Sequence, residues 1–219
     1  MPEILLKTFD FILDLFFPRS ALVLELESMS QSVALSKLSA PEEKPPVGAT
    51  SLFSYKNRMV RELIWQIKYK NNQILIAGCA KLLYEVILED LSEKNFFENS
   101  IPVLIPIPMS HIKRKEKGFN QAESLCKEII KLDSQNLFHY EPSVLLKALE
   151  TVSQTKTKNR QERLNNLKGS FGISDPEKIS GRNIILIDDV VTTGATIAEA
   201  KKVLKGALVK DVCIYSIAH

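Results

Sequence analysis

The chain has 219 residues, 45% of them hydrophobic and 25% charged, with a formal net charge of +3. That suits one compact domain plus extra N-terminal material, and the charge is too small to argue for wholesale nucleic-acid binding. Three widely spaced cysteines, Cys79, Cys126 and Cys213, form no CxxC pair, so they indicate neither a zinc ribbon nor a disulfide framework and suit a reducing cytoplasm.

The first 17 residues are apolar but interrupted by Glu3, Lys7, Asp10 and Asp14. No run is long enough to span a bilayer, and a signal peptide would need a basic start and an unbroken apolar stretch. A helix docked on the domain or on a partner is favoured over an interfacial membrane helix, because the polar positions are acidic as often as basic. Ser28–Gly48, with Pro41, Pro45 and Pro46, reads mostly as linker, with a short helix around Val33–Leu38. Residues 1–46 are therefore assigned to an N-terminal helix and linker, and residues 47–219 to the main domain.

From Thr50 the periodic pattern recovers. Ser51–Tyr55 predicts a short strand, and Val60, Leu63, Ile64 and Ile67 give a helical stripe over about Arg58–Lys68. Trp65 in that helix is expected to pack. A second helix is predicted from about Ile74 to Asp90. Val103–Ile107 is a short apolar strand between prolines, followed by a basic loop and a helix over Asn120–Leu132, where Asn120 and Glu123 suggest a capping box. Val144–Leu146 is a further apolar run. Asn183–Ile187 is a fully apolar strand core, Ala195–Leu204 a helix with Gly206 just past its end, and Asp211–Ala218 a closing strand. Strands alternating with long helices predict an α/β fold: a parallel twisted sheet with helices on both faces, plus a helical N-terminal extension.

The sharpest feature is Ile184-Ile-Leu-Ile-Asp-Asp-Val-Val-Thr-Thr-Gly-Ala-Thr196. Four aliphatic residues form a buried strand with two carboxylates at its carboxyl end, the edge at which open α/β sheets bind ligands. Thr192-Thr193-Gly194 then leads into a helix whose free amides and positive dipole end favour a phosphate. Gly194 allows a turn where a Cβ would obstruct close approach. Asp188 and Asp189 would repel a phosphate but suit the hydroxyl pair of a ribose, so the loop describes a ribose 5-phosphate. Asp, Thr and Gly also serve as ordinary helix caps after a strand, but two acids, two threonines and a glycine in this order exceed what capping needs.

This segment resembles the phosphoribosyl diphosphate motif of type I phosphoribosyltransferases over thirteen positions. The resemblance implies that Asp188 and Asp189 contact the ribose hydroxyls. It implies that Val191, Thr192, Thr193, Gly194, Ala195 and Thr196 surround the 5′-phosphate. Mg²⁺ is implied with the diphosphate ligand rather than on a protein metal site. Val103–Pro108, the basic segment and Lys117-Gly-Phe-Asn-Gln121 resemble the ComF group of competence-associated, phosphoribosyltransferase-like proteins. So do Phe53-Ser-Tyr55, Ile67-Lys-Tyr69, Gln154 and the stretch from Gln161 to Phe171. The likeness spans roughly residues 50–219. Two departures stand out: no cysteine-rich zinc segment follows Phe16-Phe-Pro18, and Lys117 stands where an arginine is expected, which weakens a bidentate phosphate grip.

Two basic clusters remain. In the family's fold, Lys113, Arg114, Lys115, Lys117 and Gly118 face the diphosphate side of the ligand. A solvated charge run is the plainer alternative. Lys156, Lys158, Arg160, Arg163 and Lys168 suit either a flap over the site or a nucleic-acid contact, although no aromatic stacking platform lies between Tyr140 and Phe171. His111 could serve as a general acid, but such a residue is more often merely exposed, and no role is assigned to it. Two functions are open: a Mg²⁺-dependent phosphoribosyltransferase with an unassigned acceptor, or a non-catalytic accessory factor in DNA uptake or utilisation, acting on single-stranded DNA or with the uptake machinery. An oligomer is compatible with either.

Overall fold

The computed structural model describes residues 21–31, 35, 38, 40–41, 44–94, 96–97, 100–147 and 169–219. The helix expected within the first 17 residues and the basic cluster from Lys156 to Lys168 lie outside them. Five strands form one parallel sheet: β1 (Ala49–Phe53), β2 (Val103–Pro106), β3 (His139–Tyr140), β6 (Asn183–Val190) and β7 (Asp211–Ala218), in the order β1-β7-β6-β2-β3. Two short strands, β4 (Leu145–Lys147) and β5 (Phe171–Ile173), pair antiparallel beside it.

The period-two alternation of β6 divides the core. Ile185 and Ile187 point to one face, where they join Leu104, Tyr215 and Ile217. Helices α1 (Ala21–Gln31), α2 (Arg58–Trp65), α3 (Gln73–Glu93) and α5 (Gln121–Leu132) contribute to this larger cluster. Ile184 and Leu186 point to the other face, against Ile197, Ala200 and Leu204 of α6 (Ala195–Gly206) and against Leu145 and Phe171. A central strand buried on both faces needs the unbroken aliphatic run that Ile184–Ile187 supplies. The expected parallel sheet with helices on both faces is thus present, and so is a helix in the N-terminal extension.

Several local expectations change. Ser28–Gln31 complete α1 rather than opening a linker, and Leu35 and Leu38 are buried in the main core. The short helix expected around Val33–Leu38 lies mostly outside the described residues. The basic segment after β2 is a short helix, α4 (His111–Lys117), capped by Ser110 at one end and by Gly118 at φ 80° at the other. Helix α2 runs on into a π-helical turn, Gln66–Lys70. Gly206 lies inside α6, which Ala207 caps.

Candidate functional site

Strands β2 and β6 are neighbours, yet the chain leaves them in opposite directions. From β2 it passes through α4 and α5 to β3 on one side; from β6 it passes through α6 to β7 on the other. Such a switch point leaves a crevice outside the carboxyl ends of the strands, the usual ligand position in open α/β sheets. A cleft of about 360 Å³ opens there. Asp188, Asp189 and Thr196 line it from the β6 side, and Pro108–Ser110, Lys113, Lys117 and Asn120–Ala122 from the β2 side. Lys68 and Tyr69 of the π-helical turn and Lys147 of β4 complete it.

The two acids sit at the end of the central strand because β6 extends through Val190, in register with β7 as far as Ala218. Asp188 Oδ1 accepts the Asp189 amide at 2.9 Å. Asp189 is buried, and Lys68 Nζ lies 3.3 Å from its Oδ2. Burial, and next the neighbouring Asp189 charge, push the Asp188 carboxyl well above the usual carboxylate range, while Lys68 and Lys147 pull the other way. The ionised form of Asp188 is therefore disfavoured in the cleft.

Four lysines, Lys68, Lys113, Lys117 and Lys147, share this cleft. Lys147 lies over the Phe171 ring at 4.0 Å and donates to Ser170 Oγ at 3.2 Å. Burial, then the charge of Lys113, lower its ammonium to about 8. Lys117 is also lowered, by burial first and then by Lys68 and Lys113, against an opposing pull from Asp189. Its Nζ sits 4.8 Å from the centre of the Tyr69 ring. Crowded ammonium groups repel one another, and an anion placed among them relieves that repulsion.

Helix α4 sorts the first basic cluster by face. Lys113 and Lys117 are four residues apart and both reach the cleft. Arg114 turns away, with Nη1 2.8 Å from Glu123 Oε2, and Lys115 is exposed outside the cleft lining. The same Glu123 carboxylate pairs with Lys127 at 2.9 Å, so the reciprocal capping box expected with Asn120 does not form. Asn120 still caps α5 by accepting the Ala122 amide at 3.1 Å. The Gly118 amide closes α4 on the Arg114 carbonyl at 2.8 Å, which commits that donor to the helix end. His111 is exposed, as expected.

After β6, Val191 and Ala195 are buried, Thr192 and Thr193 exposed, and Thr196 half-buried at the cleft. Gly194 adopts φ 74°, and a Cβ there would lie 3.1 Å from Pro46 and 3.2 Å from Val47. The close approach that this glycine permits is thus made by the chain's own Pro46–Gly48 turn, in which Val47 itself is held at φ 59°. Among the described residues, the amides of Thr192, Thr193, Gly194, Thr196 and Ile197 donate to no protein acceptor. Those donors at a helix N-terminus are the ones an anion would use.

Sequence reasoning missed Lys68, Tyr69 and Lys147 as cleft residues. Lys68 and Tyr69 stand in a stretch singled out only for its family likeness, and Lys147 closes a short apolar run with nothing local to mark it. Trp65, expected to pack, is instead 44% exposed. The buried stripe of α2 is Val60, Leu63, Ile64 and then Ile67, and one step beyond Ile64 rotates Trp65 off it.

A parallel sheet of this order, with paired acids and an amide-rich turn at its switch point, defines a phosphoribosyltransferase-type domain. The family model of the phosphoribosyl transferase domain matches residues 66–218. Competence protein ComFC of Streptococcus pneumoniae is 32% identical over 79% of this chain and 69% of its own length. Competence protein F of Haemophilus influenzae is 27% identical over 72% and 66%, and DNA utilization protein YhgH of Escherichia coli K12 is 28% identical over 65% and 59%. The chain belongs to the ComF family of phosphoribosyltransferase-like proteins. It spans about three fifths to two thirds of the length of the curated relatives it matches. Among solved structures, a hypoxanthine phosphoribosyltransferase from Staphylococcus aureus is 15% identical, with a TM-score of 0.37 over 64% of this chain and 61% of its own.

Proposed function

We propose that the cleft between β2 and β6 binds phosphoribosyl diphosphate together with Mg²⁺. The observation that carries this is the facing of Asp188 and Asp189 by four lysines at the sheet's switch point. Few ligands match both signs of charge in one small cleft; a sugar diol flanked by phosphates does. Asp188 and Asp189 accept hydrogen bonds from the two ribose hydroxyls. The free amides of Thr192, Thr193, Gly194 and Thr196, with the threonine hydroxyls, hold the 5′-phosphate, and Val191 and Ala195 anchor the turn from below. Lys113 and Lys117 receive the diphosphate, and Arg114 and Lys115 add to the local field without direct contact. Two adjacent carboxylates suit a hydrated Mg²⁺ carried mainly by ligand oxygens, since this ion takes one or two carboxylates beside substrate phosphates. When bound, Mg²⁺ would neutralise part of the diphosphate charge.

The same residues suit phosphoribosyl transfer. The anomeric C–O bond breaks, the diphosphate leaves with the electron pair toward Lys113 and Lys117, and an acceptor donates a pair to the ring carbon. Asp188 and Asp189 lie where the ring gains positive charge. Such a site acts by positioning and electrostatics, and each well-placed group is worth about 3 kcal/mol in the transition state. The names of the relatives, competence and DNA utilization proteins, favour a second reading: the bound ligand is sensed without turnover by an accessory factor in DNA handling. Diphosphate exchange into phosphoribosyl diphosphate in the presence of a nucleobase panel separates the two, because only the transferase scrambles label.

Titration calorimetry with phosphoribosyl diphosphate and Mg²⁺ tests the site itself. Wild-type protein should bind with saturable heat. Asp188→Asn combined with Asp189→Asn should weaken binding at least about ten-fold, as expected for losing charge-assisted hydrogen bonds to the ribose. Equal binding by the double variant would remove the assignment.

A further inference from the structure

Asp189 is a buried carboxylate, and such a group needs a countercharge to stay ionised inside a folded chain. Lys68 supplies it, with Nζ 3.3 Å from Oδ2, and among the described residues neither Asp188 nor Asp189 makes another ion pair. Two of the other cleft lysines rest on rings instead, Lys117 on Tyr69 and Lys147 on Phe171. The Lys68 contact is long for a charge-assisted hydrogen bond, which ordinarily measures about 2.7–2.9 Å. With 29% of the Lys68 side chain open to solvent, the pair neutralises charge without locking the ammonium in place.

The backbone that carries Lys68 is held far more firmly than its head. Gln66 and Ile67 are buried, and the Asn71 amide closes the π-helical turn on the Gln66 carbonyl. Local π-helical geometry is frequent at functional sites. Gln121 Nε2, at the start of α5, donates to the Lys68 carbonyl at 3.1 Å. The turn is thus tied to the β2 side of the cleft, while its lysine reaches across to the acid on the β6 side. A lysine head pivots on a flexible four-carbon stem, so it can change partners while the backbone stays still. A second place for it is close by: Lys117, lowered by burial and then by the Lys68 charge, lies on the side given to the diphosphate.

We propose that Lys68 is a resident counter-ion that reserves the acid pair for a divalent cation arriving with its ligand. In the ligand-free protein it occupies Asp189 Oδ2 and repels a divalent cation from the two carboxylates. When phosphoribosyl diphosphate enters, the ammonium passes to the diphosphate and leaves the acids to the ribose hydroxyls and the cation. This role rests on the phosphoribosyl reading of the cleft. An arginine would suit the task less well, because its planar fork grips a carboxylate through two parallel hydrogen bonds and would hinder the release. The consequence is coupling: ligand and cation raise each other's affinity by the same factor, and Lys68 enlarges that factor because the ligand removes the competing charge.

Mn²⁺ is a suitable probe, because it takes the same carboxylate and water ligands as Mg²⁺ and its free form is read by electron paramagnetic resonance. Full-length protein is titrated with Mn²⁺ alone. Lys68→Met should bind it about ten-fold more tightly than wild type, a coupling of ordinary size. Adding Asp189→Asn should cancel that gain, and Lys68→Arg, which keeps the charge, should stay near wild type. Calorimetry at saturating Mn²⁺ then follows phosphoribosyl diphosphate, which should bind Lys68→Met about ten-fold more weakly because the diphosphate has lost a cation. The two affinities move in opposite directions, which a merely damaged cleft would not produce, and circular dichroism confirms that the variants fold. Equal Mn²⁺ affinity in wild type and Lys68→Met, or a gain that survives Asp189→Asn, would overturn the proposal. Wild-type ligand affinity in Lys68→Met would overturn it too, since the ammonium would then have no second place. Failure of the wild type to bind the ligand at all would remove the reading of the cleft, whereas the Mn²⁺ comparison, which contains no ligand, still decides whether Lys68 guards the acids.

Discussion

Asp188 illustrates how a proposed binding residue is held at a cost to the free protein. Its carboxyl is raised above the ordinary value of 3.8, by burial and then by Asp189, so the folded chain holds the proton more tightly than the unfolded one. Below about pH 3.8 both states are protonated and this group adds no pH dependence. As pH climbs from there toward the raised value, the unfolded chain ionises while the folded chain resists, and stability falls. At neutral pH the ligand-free protein should therefore be stabilised by Asp188→Asn. The melting temperature should rise by about 2–4 °C, the shift that roughly 1 kcal/mol produces in a chain of this size. That gain should shrink as the pH approaches 4. Thermal melts of both proteins across pH 4–8 test it, and a variant that melts lower at neutral pH would show that the ionised carboxylate is already well served by Lys68 and Lys147.

At the scale of elements, the β4–β5 pair positions a lysine that nothing nearby in sequence announces. Lys147 is pressed on Phe171 and lowered to about 8, so it is charged below that pH and increasingly neutral above it. A diphosphate ligand needs the charged form. Affinity for phosphoribosyl diphosphate, read by calorimetry, should fall as pH rises through about 8, and Lys147→Met should bind more weakly and lose that step. The contrast between Lys147 and Asp188 shows what a sequence makes legible. Ile184–Thr196 carries its strand, acids and turn in consecutive residues, so local chemistry was enough to read it. Helix α4 was not legible, because four basic residues over one and a half turns have no apolar period; its stability comes from the Ser110 and Gly118 ends and the Arg114–Glu123 pair. Lys68, Tyr69 and Lys147 reach the cleft only through the packing of the π-helical turn and of β4 around the switch point, which no local pattern encodes. Trp65 was misjudged because a tryptophan in a helix usually packs, and only its angle from the Val60–Ile67 stripe tells otherwise.

At the scale of the whole molecule, the N-terminal segment is bound into the same core as the sheet. Leu26 of α1 is fully buried, and Leu35 and Leu38 join the cluster that includes Leu75, Leu83 and Tyr215. Glu27 Oε1 accepts from Asn72 Nδ2 at 2.6 Å, and the same Asn72 caps α3 by accepting the Leu75 amide. Farther along, the Pro46–Gly48 turn presses on Gly194, so the segment leading into β1 also buttresses the candidate phosphate turn. Helix α1 should therefore unfold with the sheet rather than before it. Leu26→Ala should cost about 2–5 kcal/mol, the usual range for emptying a fully buried leucine site. In urea, Trp65 fluorescence and far-ultraviolet circular dichroism should give one coincident transition, shifted to lower urea in the variant. A variant in which α1 melts early while the remaining transition keeps its wild-type midpoint would show that the core does not depend on the N-terminal helix.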